Sequence, residues 1–248
     1  MPRVLIADKL SPAAVEIFTS RGIDTDIKTG LSKDEIIAII GDYDGLAVRS
    51  APKVDKDIIA AAKNLKVVGR AGIGVDNIDI PAATAAGVVV MNTPFGNSIT
   101  TAEHAIAMMF ALARQLPAAD VSTQAGKWEK SRFMGMELYA KTLGLIGAGN
   151  IGSIVADRAL GLKMKVVAYD PFLSPERAVE IGVEKVELDE LLARADIITL
   201  HTPLTDKTRN ILSEENLGKT KAGVLIINCA RGGLVDESAL RKLLDAGH

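Results

Sequence analysis

Strand, glycine turn, helix, strand, acid: the stretch Leu143-Gly-Leu-Ile-Gly147-Ala-Gly149-Asn-Ile-Gly152, followed by Val166-Val-Ala-Tyr-Asp170, leaves few folds open to this chain. Gly147, Gly149 and Gly152 stand in the spacing G-x-G-x-x-G, and each has its own physical task. Gly147 permits a tight turn, Gly149 lets backbone approach a pyrophosphate, and Gly152 lets the helix lie close to the strand. The helix N-terminus then presents unpaired N–H groups and the positive end of its dipole to phosphate. Asp170 comes 18 positions after Gly152. A carboxylate there binds both ribose hydroxyls of NAD and repels a 2′-phosphate.

Composition narrows the setting. With 248 residues the chain has room for two modest domains, and 48% hydrophobic residues is ordinary for a packed core. A net charge of −2 gives no electrostatic footprint for nucleic acid or an anionic membrane. Cys229 is the single cysteine, so no internal disulfide can form, which fits a reducing cytoplasm. No apolar run approaches the ~20 residues of a membrane span, and Met1-Pro-Arg-Val-Leu-Ile-Ala-Asp8 reads as a strand, too short for a signal peptide. No metal is expected.

Short apolar runs alternate with amphipathic stretches along the first part. Strands are expected at Val4–Ala7, Ile23–Ile27, Gly45–Val48, Val67-Val68 and Val88–Met91, with helices at Pro12–Ser20, Asp34–Ile40, Asp55–Ala62 and Ile80–Ala86. A long helix from about Thr100 to Gln115 follows, with Ser98, Thr100 and Thr101 as candidate caps. The segment Ala118–Tyr139 is polar with scattered large apolar residues. Trp128, Phe133 and Met134 in it need burial, which an arm laid on a second subunit would supply. From Thr142 a second series is expected: strands Thr142–Ile146, Lys165–Tyr169, Val186, Ile197–Leu200 and Val224–Asn228, and helices Ile151–Leu160, Pro175–Ile181, Leu188–Ala193, Ser213–Leu217 and Glu237–Asp245. The pattern predicts an α/β protein of two doubly wound parallel-sheet domains, the second a Rossmann domain. Residues 1–96 are read as a flavodoxin-like substrate domain. Residues 97–248 are read as the NAD-binding domain, with a dimerisation helix and arm at about 97–140.

Ligands of such sheets sit at the carboxyl ends of strands. The residues there, with their neighbours, resemble the D-2-hydroxyacid dehydrogenase family. The matching stretches are Val48-Arg-Ser-Ala-Pro-Lys53, Val68-Gly-Arg-Ala-Gly-Ile-Gly-Val-Asp-Asn-Ile-Asp79, Met91-Asn-Thr-Pro-Phe-Gly-Asn-Ser98, Gly126-Lys-Trp-Glu129, His201-Thr-Pro-Leu204 and Asn228-Cys-Ala-Arg-Gly-Gly-Leu-Val-Asp236. Their order and spacing together are specific. The resemblance implies NAD-dependent interconversion of D-2-hydroxy and 2-oxo acids by hydride transfer. It is strongest to the branch that oxidises 3-phosphoglycerate at the entry to serine synthesis.

The residues agree with that chemistry. A 2-hydroxy acid needs a cation for its carboxylate and developing charge, and Arg231, just past a strand, offers a planar, always-charged fork. By resemblance Arg231 is the catalytic arginine. Arg49 and Arg70 end strands of the first half and supply charge for a phosphate. By resemblance Ser50, Gly72 and Asn97 join them at the substrate, and Arg132 reaches a neighbouring subunit's site. For the cofactor the resemblance implies Asn150 and Ile151 at the pyrophosphate with the three glycines, Asp170 at the adenine ribose, Thr202 and Pro203 beneath the riboses, and Ile73, Cys229 and Ala230 near the nicotinamide. Pro171 stands where members preferring NADP tend to carry arginine. A homodimer or tetramer is the expected assembly.

The family pattern continues beyond residue 248 with a glutamate and a Pro-His whose histidine is the acid/base, so the nucleotide domain is expected to be incomplete and the chain to lack its proton-transfer pair. His104, inside the long helix, reads as a core or interface residue, and His201 ends a strand on the adenosine side. Two other functions share the pattern: glyoxylate or hydroxypyruvate reduction, and a non-catalytic, dimeric NAD-sensing module.

Overall fold

Runs of four or five branched apolar residues, bounded by glycine or polar turns, cannot close an amphipathic helix but fit the fully buried strands of a parallel sheet. The computed structural model describes residues 1–248, and the chain divides into two compact units, Met1–Asn97 and Ser98–His248.

In the first unit the chain runs β1 (Arg3–Ile6), α1 (Pro12–Ser20), β2 (Asp24–Ile27), α2 (Lys33–Ile39), β3 (Gly45–Val48), α3 (Lys56–Ala61), β4 (Val67–Arg70), α4 (Ile80–Ala85) and β5 (Val89–Asn92). The strands are parallel in the order β2-β1-β3-β4-β5, with Val4 opposite Gly45 and Val48 opposite Arg70. Every residue of β3 is buried. Leu5, Leu46, Val48 and Val68 meet Ile36 of α2 and Ile58 of α3 in the core. Helix starts are fixed locally. Ser32 and Glu35 form a reciprocal capping box, and Asp55 and Asp79 accept first-turn amides. Each such cap is worth about 1 kcal/mol.

The second unit opens with α5 (Ser98–Ala113), α6 (Leu116–Gln124) and a 3-10 turn at Lys130–Phe133. It continues through β6 (Thr142–Ile146), α7 (Asn150–Gly161), β7 (Lys165–Tyr169), α8 (Pro175–Glu180), β8 (Glu184–Lys185), α9 (Leu188–Arg194), β9 (Ile197–Leu200), α10 (Glu214–Leu217), β10 (Leu225–Asn228) and α11 (Glu237–Asp245). Its parallel order is β10-β9-β6-β7-β8, so the winding reverses between β6 and β9, where Ile146 lies opposite Leu200. Ala102, Ala105, Met109 and Ala113 form the buried stripe of α5 and pack with Val155, Ala156 and Ala159 of α7.

Three expectations need correction. The long helix begins at Ser98, which is itself buried, so Thr100 and Thr101 lie inside its first turn and are not caps. It ends at Ala113, because Gln115 turns left-handed (φ 52°) and caps a separate helix, α6, where no helix is expected. The short strand is Glu184–Lys185, and Val186 follows it, donating its N–H to the Ala168 carbonyl. Trp128 is 87% exposed and Met134 73%.

Candidate functional site

The sequence-predicted residues fall into two groups, one in each unit. In the second unit the glycine turn occupies the point where the sheet's winding reverses. Gly147 has φ 94°, and a β-carbon there would stand 2.7 Å from the His201 carbonyl oxygen. Its N–H donates to the Tyr169 carbonyl (2.9 Å), so the turn is tied to the end of β7 as well as to the end of β9. A β-carbon at Gly152 would stand 2.1 Å from the Gly147 carbonyl oxygen. Gly149, the N-cap of α7, faces open space. The ladder of α7 begins with the Ser153 N–H donating to the Gly149 carbonyl (2.9 Å), which leaves the amides of Asn150, Ile151 and Gly152 outside it.

Asp170 directly follows β7. One carboxylate oxygen accepts the Ala148 N–H and the other the Phe172 N–H, both at 2.8 Å. The acid is thus locked to the glycine turn, with lone pairs remaining on both oxygens. Thr202 and Pro203 follow β9, and the Pro203 carbonyl accepts the Thr208 hydroxyl at 2.6 Å. These residues form one contiguous rim: turn, helix start, acid and the β9 end.

His201 belongs to that rim as a fixed, neutral ring. Its Nε2 lies 2.8 Å from the Thr199 hydroxyl, while its Nδ1 is buried with no partner. Burial lowers its pKa from the usual 6.5 to about 4. Between those values the unfolded chain holds a proton that the native ring refuses, so stability is full above pH 6.5 and falls with pH below it. The full difference is about 3 kcal/mol. Denaturant midpoints at pH 7.5 and 4.5 should therefore differ less in His201→Gln than in the wild type. An unchanged difference would remove His201 from the account.

At the end of β10 the loop Asn228–Arg231 is braced from within. Asn228 Nδ2 donates to the Arg231 carbonyl (2.8 Å), its Oδ1 accepts the Ala230 N–H (3.1 Å), and Arg231 Nη1 donates to the Ala230 carbonyl (2.8 Å). Cys229, Ala230 and Arg231 line a hollow of about 680 Å³ together with Thr100, Thr101 and His104 of α5 and Glu237 of α11. Burial pushes the Cys229 thiol up, so it stays protonated and serves as a small apolar wall. His104 is exposed on this hollow and is not a core residue. The signal for it was available in the helical spacing of Thr100, Thr101, His104 and Met108, which places them on one face. Arg132 lies elsewhere, in the 3-10 turn, paired with Glu129 and over the Phe133 ring.

In the first unit Arg49 and Ser50 follow β3 and are exposed. Arg70, the last residue of β4, has only 10% of its side chain exposed. Its guanidinium donates to the carbonyls of Arg49 and Gly74 and to Asp76. Gly72 and Ile73 are held by the Thr93 amide and the Asn92 side chain respectively. Asn97 is exposed at the unit's last position.

A parallel sheet with a glycine turn at its switch point, unpaired helix amides beside it and an acid ending the next strand defines a dinucleotide-binding protein of the Rossmann class. The chain belongs to the D-isomer specific 2-hydroxyacid dehydrogenase family, whose NAD binding domain model matches residues 106–248. It is 51% identical over 245 residues to D-3-phosphoglycerate dehydrogenase of Archaeoglobus fulgidus, covering 99% of this chain and 46% of that protein. The chain thus spans about half the length of the curated relatives it matches. Among solved structures, a glyoxylate reductase from Paecilomyes thermophila superposes with a TM-score of 0.91 at 32% identity, over 99% of this chain and 78% of that one. The D-lactate dehydrogenase of Aquifex aeolicus, complexed with NAD and lactic acid, gives 0.88 at 28% identity, over 99% and 74%.

NAD is the cofactor of this domain. The second unit fits it on its own geometry: the open approach at Gly149, the amides of Asn150, Ile151 and Gly152, and the anchored Asp170 match a pyrophosphate and a ribose diol. No helix is long and apolar enough to cross a membrane.

Proposed function

We propose that this chain is the cofactor- and substrate-binding core of a dehydrogenase that oxidises D-3-phosphoglycerate to 3-phosphohydroxypyruvate, the first step of phosphorylated serine synthesis. The observation that carries this reading is Arg231 on its braced strand-end loop, in a chain about half of whose residues are shared with named 3-phosphoglycerate dehydrogenases. Bound NAD supplies the hydride acceptor. Arg231 holds the substrate's carboxylate and the charge that develops at the reacting carbon's oxygen. Arg49, Ser50, Gly72 and Asn97 bind the acid's remaining anionic and hydroxyl groups, Arg70 adds charge behind them, and Arg132 serves a neighbouring subunit. Ile73, Cys229 and Ala230 flank the nicotinamide, and Thr202 and Pro203 the riboses.

An assembly of identical subunits is part of the proposal. Met108 and Leu112 of α5, Val121 of α6, Trp128 and Met134 are all large and exposed, a density of apolar surface that a lone soluble chain rarely shows. The single cysteine supports a reducing cytoplasm.

NADH release from 3-phosphoglycerate, compared with glycerate and with glyoxylate reduction, tests the reading. The likeness to a glyoxylate reductase favours the second reading, and preference for glyoxylate would establish it. NAD binding without turnover of any of the three, in protein that carries the family's acid/base pair, would point to a sensing module. Asp170→Ala should weaken NAD by about tenfold, as expected for lost charged hydrogen bonds, and narrow the gap to NADP. Cofactor selectivity unchanged in that variant would remove Asp170 from the ribose.

A further inference from the structure

The first unit has a switch point of its own. The chain leaves β1 on one side for β2 and returns on the other as β3, so the crevice of this sheet opens beyond the carboxyl ends of β1 and β3. Arg49 and Ser50 stand there after β3. Opposite them, after β1, stands Asp8, a carboxylate in a place otherwise suited to anions.

Its bonds explain its presence. Asp8 Oδ2 accepts the N–H groups of Arg49 (3.1 Å) and Ala51 (3.0 Å), and Oδ1 accepts that of Lys9 (2.7 Å). The same segment is held from its other side. The Arg49 carbonyl accepts Arg70 Nε (2.8 Å) and Asn77 Nδ2 (3.0 Å), and Asn77 Nδ2 also reaches the Pro52 carbonyl (3.0 Å). Residues 49–52 are thus gripped by their amides from β1 and by their carbonyls from the β4 side. Ser50 sits between the gripped amides, exposed, its own N–H and hydroxyl not engaged within the chain. Burial pushes the Asp8 carboxyl up, but the three amides outweigh it and hold the group below the usual carboxylate range, so it stays charged.

We propose that Asp8 is a positioning residue that presets Arg49 and Ser50 as an anion cradle without touching the substrate itself. This rests on the reading above that Arg49 and Ser50 bind the acid substrate. Two physical effects of Asp8 oppose each other, and their signs differ. As a negative charge beside the cradle it repels an anion, so its removal would tighten binding. As an organiser it holds the cradle's shape, so its removal would loosen binding.

Titration of 3-phosphoglycerate into the wild-type chain, Asp8→Ala and Asp8→Asn decides between them, with NAD titrated in parallel. Loss of two charged hydrogen bonds to the loop should weaken 3-phosphoglycerate about tenfold or more in Asp8→Ala, less in Asp8→Asn, with NAD affinity unchanged. Equal or tighter binding in Asp8→Ala overturns the proposal while leaving the functional reading intact. A wild-type chain that binds NAD but no 3-phosphoglycerate overturns the functional reading and this role with it. Amide exchange in the wild type needs no variant to fold: the Arg49 and Ala51 amides should exchange about 100-fold more slowly than that of Ser50. Equal rates overturn the proposal.

Discussion

In protein that carries the family's acid/base pair, Arg231→Ala should lower kcat/KM for 3-phosphoglycerate oxidation by about 10²–10³-fold, the usual effect of deleting one preorganised donor to developing charge. NAD affinity should change by less than about threefold, because the anion contacts of the cofactor lie at the glycine turn. The split follows from where the two sites stand on the sheet, one at its central strand and one at its edge. Asp170, Ala148 and the start of α7 surround the turn after β6, while Arg231 projects from the loop after β10, two strands away. Asn228 ties the Ala230 amide and the residue 231 carbonyl whatever side chain stands at 231, so these braces of the loop survive when the guanidinium and its bond to the Ala230 carbonyl are lost. Arg231→Lys should recover only a small part of the loss, because a point ammonium cannot engage two oxygens of a carboxylate in one plane. Steady-state kinetics with NAD titrated by fluorescence would measure both quantities. Full turnover in Arg231→Ala would end its assignment to the chemistry.

Much of this architecture is legible in the chain because parallel strands are hydrophobic on both faces and short. Thr142–Ile146, Lys165–Tyr169 and Ile197–Leu200 stand between glycine or charged punctuation, and their limits in the fold are those of the pattern. The glycine spacing places the turn for the same reason: backbone that must approach backbone leaves a mark in composition. Other features leave none. In α6 the one large apolar residue after the first turn, Val121, is exposed, so there is no buried stripe for periodicity to reveal. β8 is two charged residues, Glu184 and Lys185, made a strand only by backbone pairing to Val167 and Ala168. Spacing puts His104 on one helix face with Thr100, Thr101 and Met108, but that this face meets the Arg231 hollow comes from the packing of α5 beside β10, segments over a hundred residues apart. Asp8 is equally silent, since a carboxylate that binds amides selects no partner side chain and hence no motif.

Gly152→Ala and Gly149→Ala should fail in opposite ways, although both put one methyl group into the same turn. Inside a helix, alanine is favoured over glycine by about 1 kcal/mol, so propensity alone predicts that Gly152→Ala stabilises. The geometry reverses the sign. A methyl at Gly152 would stand 2.1 Å from the Gly147 carbonyl oxygen and 3.0 Å from its carbon, and both are backbone. Gly147 cannot retreat, because its N–H is bonded to Tyr169 and its α-carbon lies against the His201 carbonyl. Relief requires opening the turn or lifting α7, and overpacking of this kind costs about 1–3 kcal/mol or more, which outweighs the gain. Gly152→Ala should thus lower the denaturation midpoint and bind NAD poorly. Gly149 has φ −70° and no atom within 4 Å of an added β-carbon, so Gly149→Ala should fold with wild-type stability to within about 0.5 kcal/mol. Its methyl would nevertheless project at the N-terminus of α7, where close approach of a pyrophosphate needs bare backbone. NAD affinity should fall about tenfold or more. Urea unfolding and NAD titration on the two variants separate the roles. Wild-type stability in Gly152→Ala would mean the turn has slack that the contacts deny. Undiminished NAD binding in Gly149→Ala would mean the phosphates cross the sheet elsewhere.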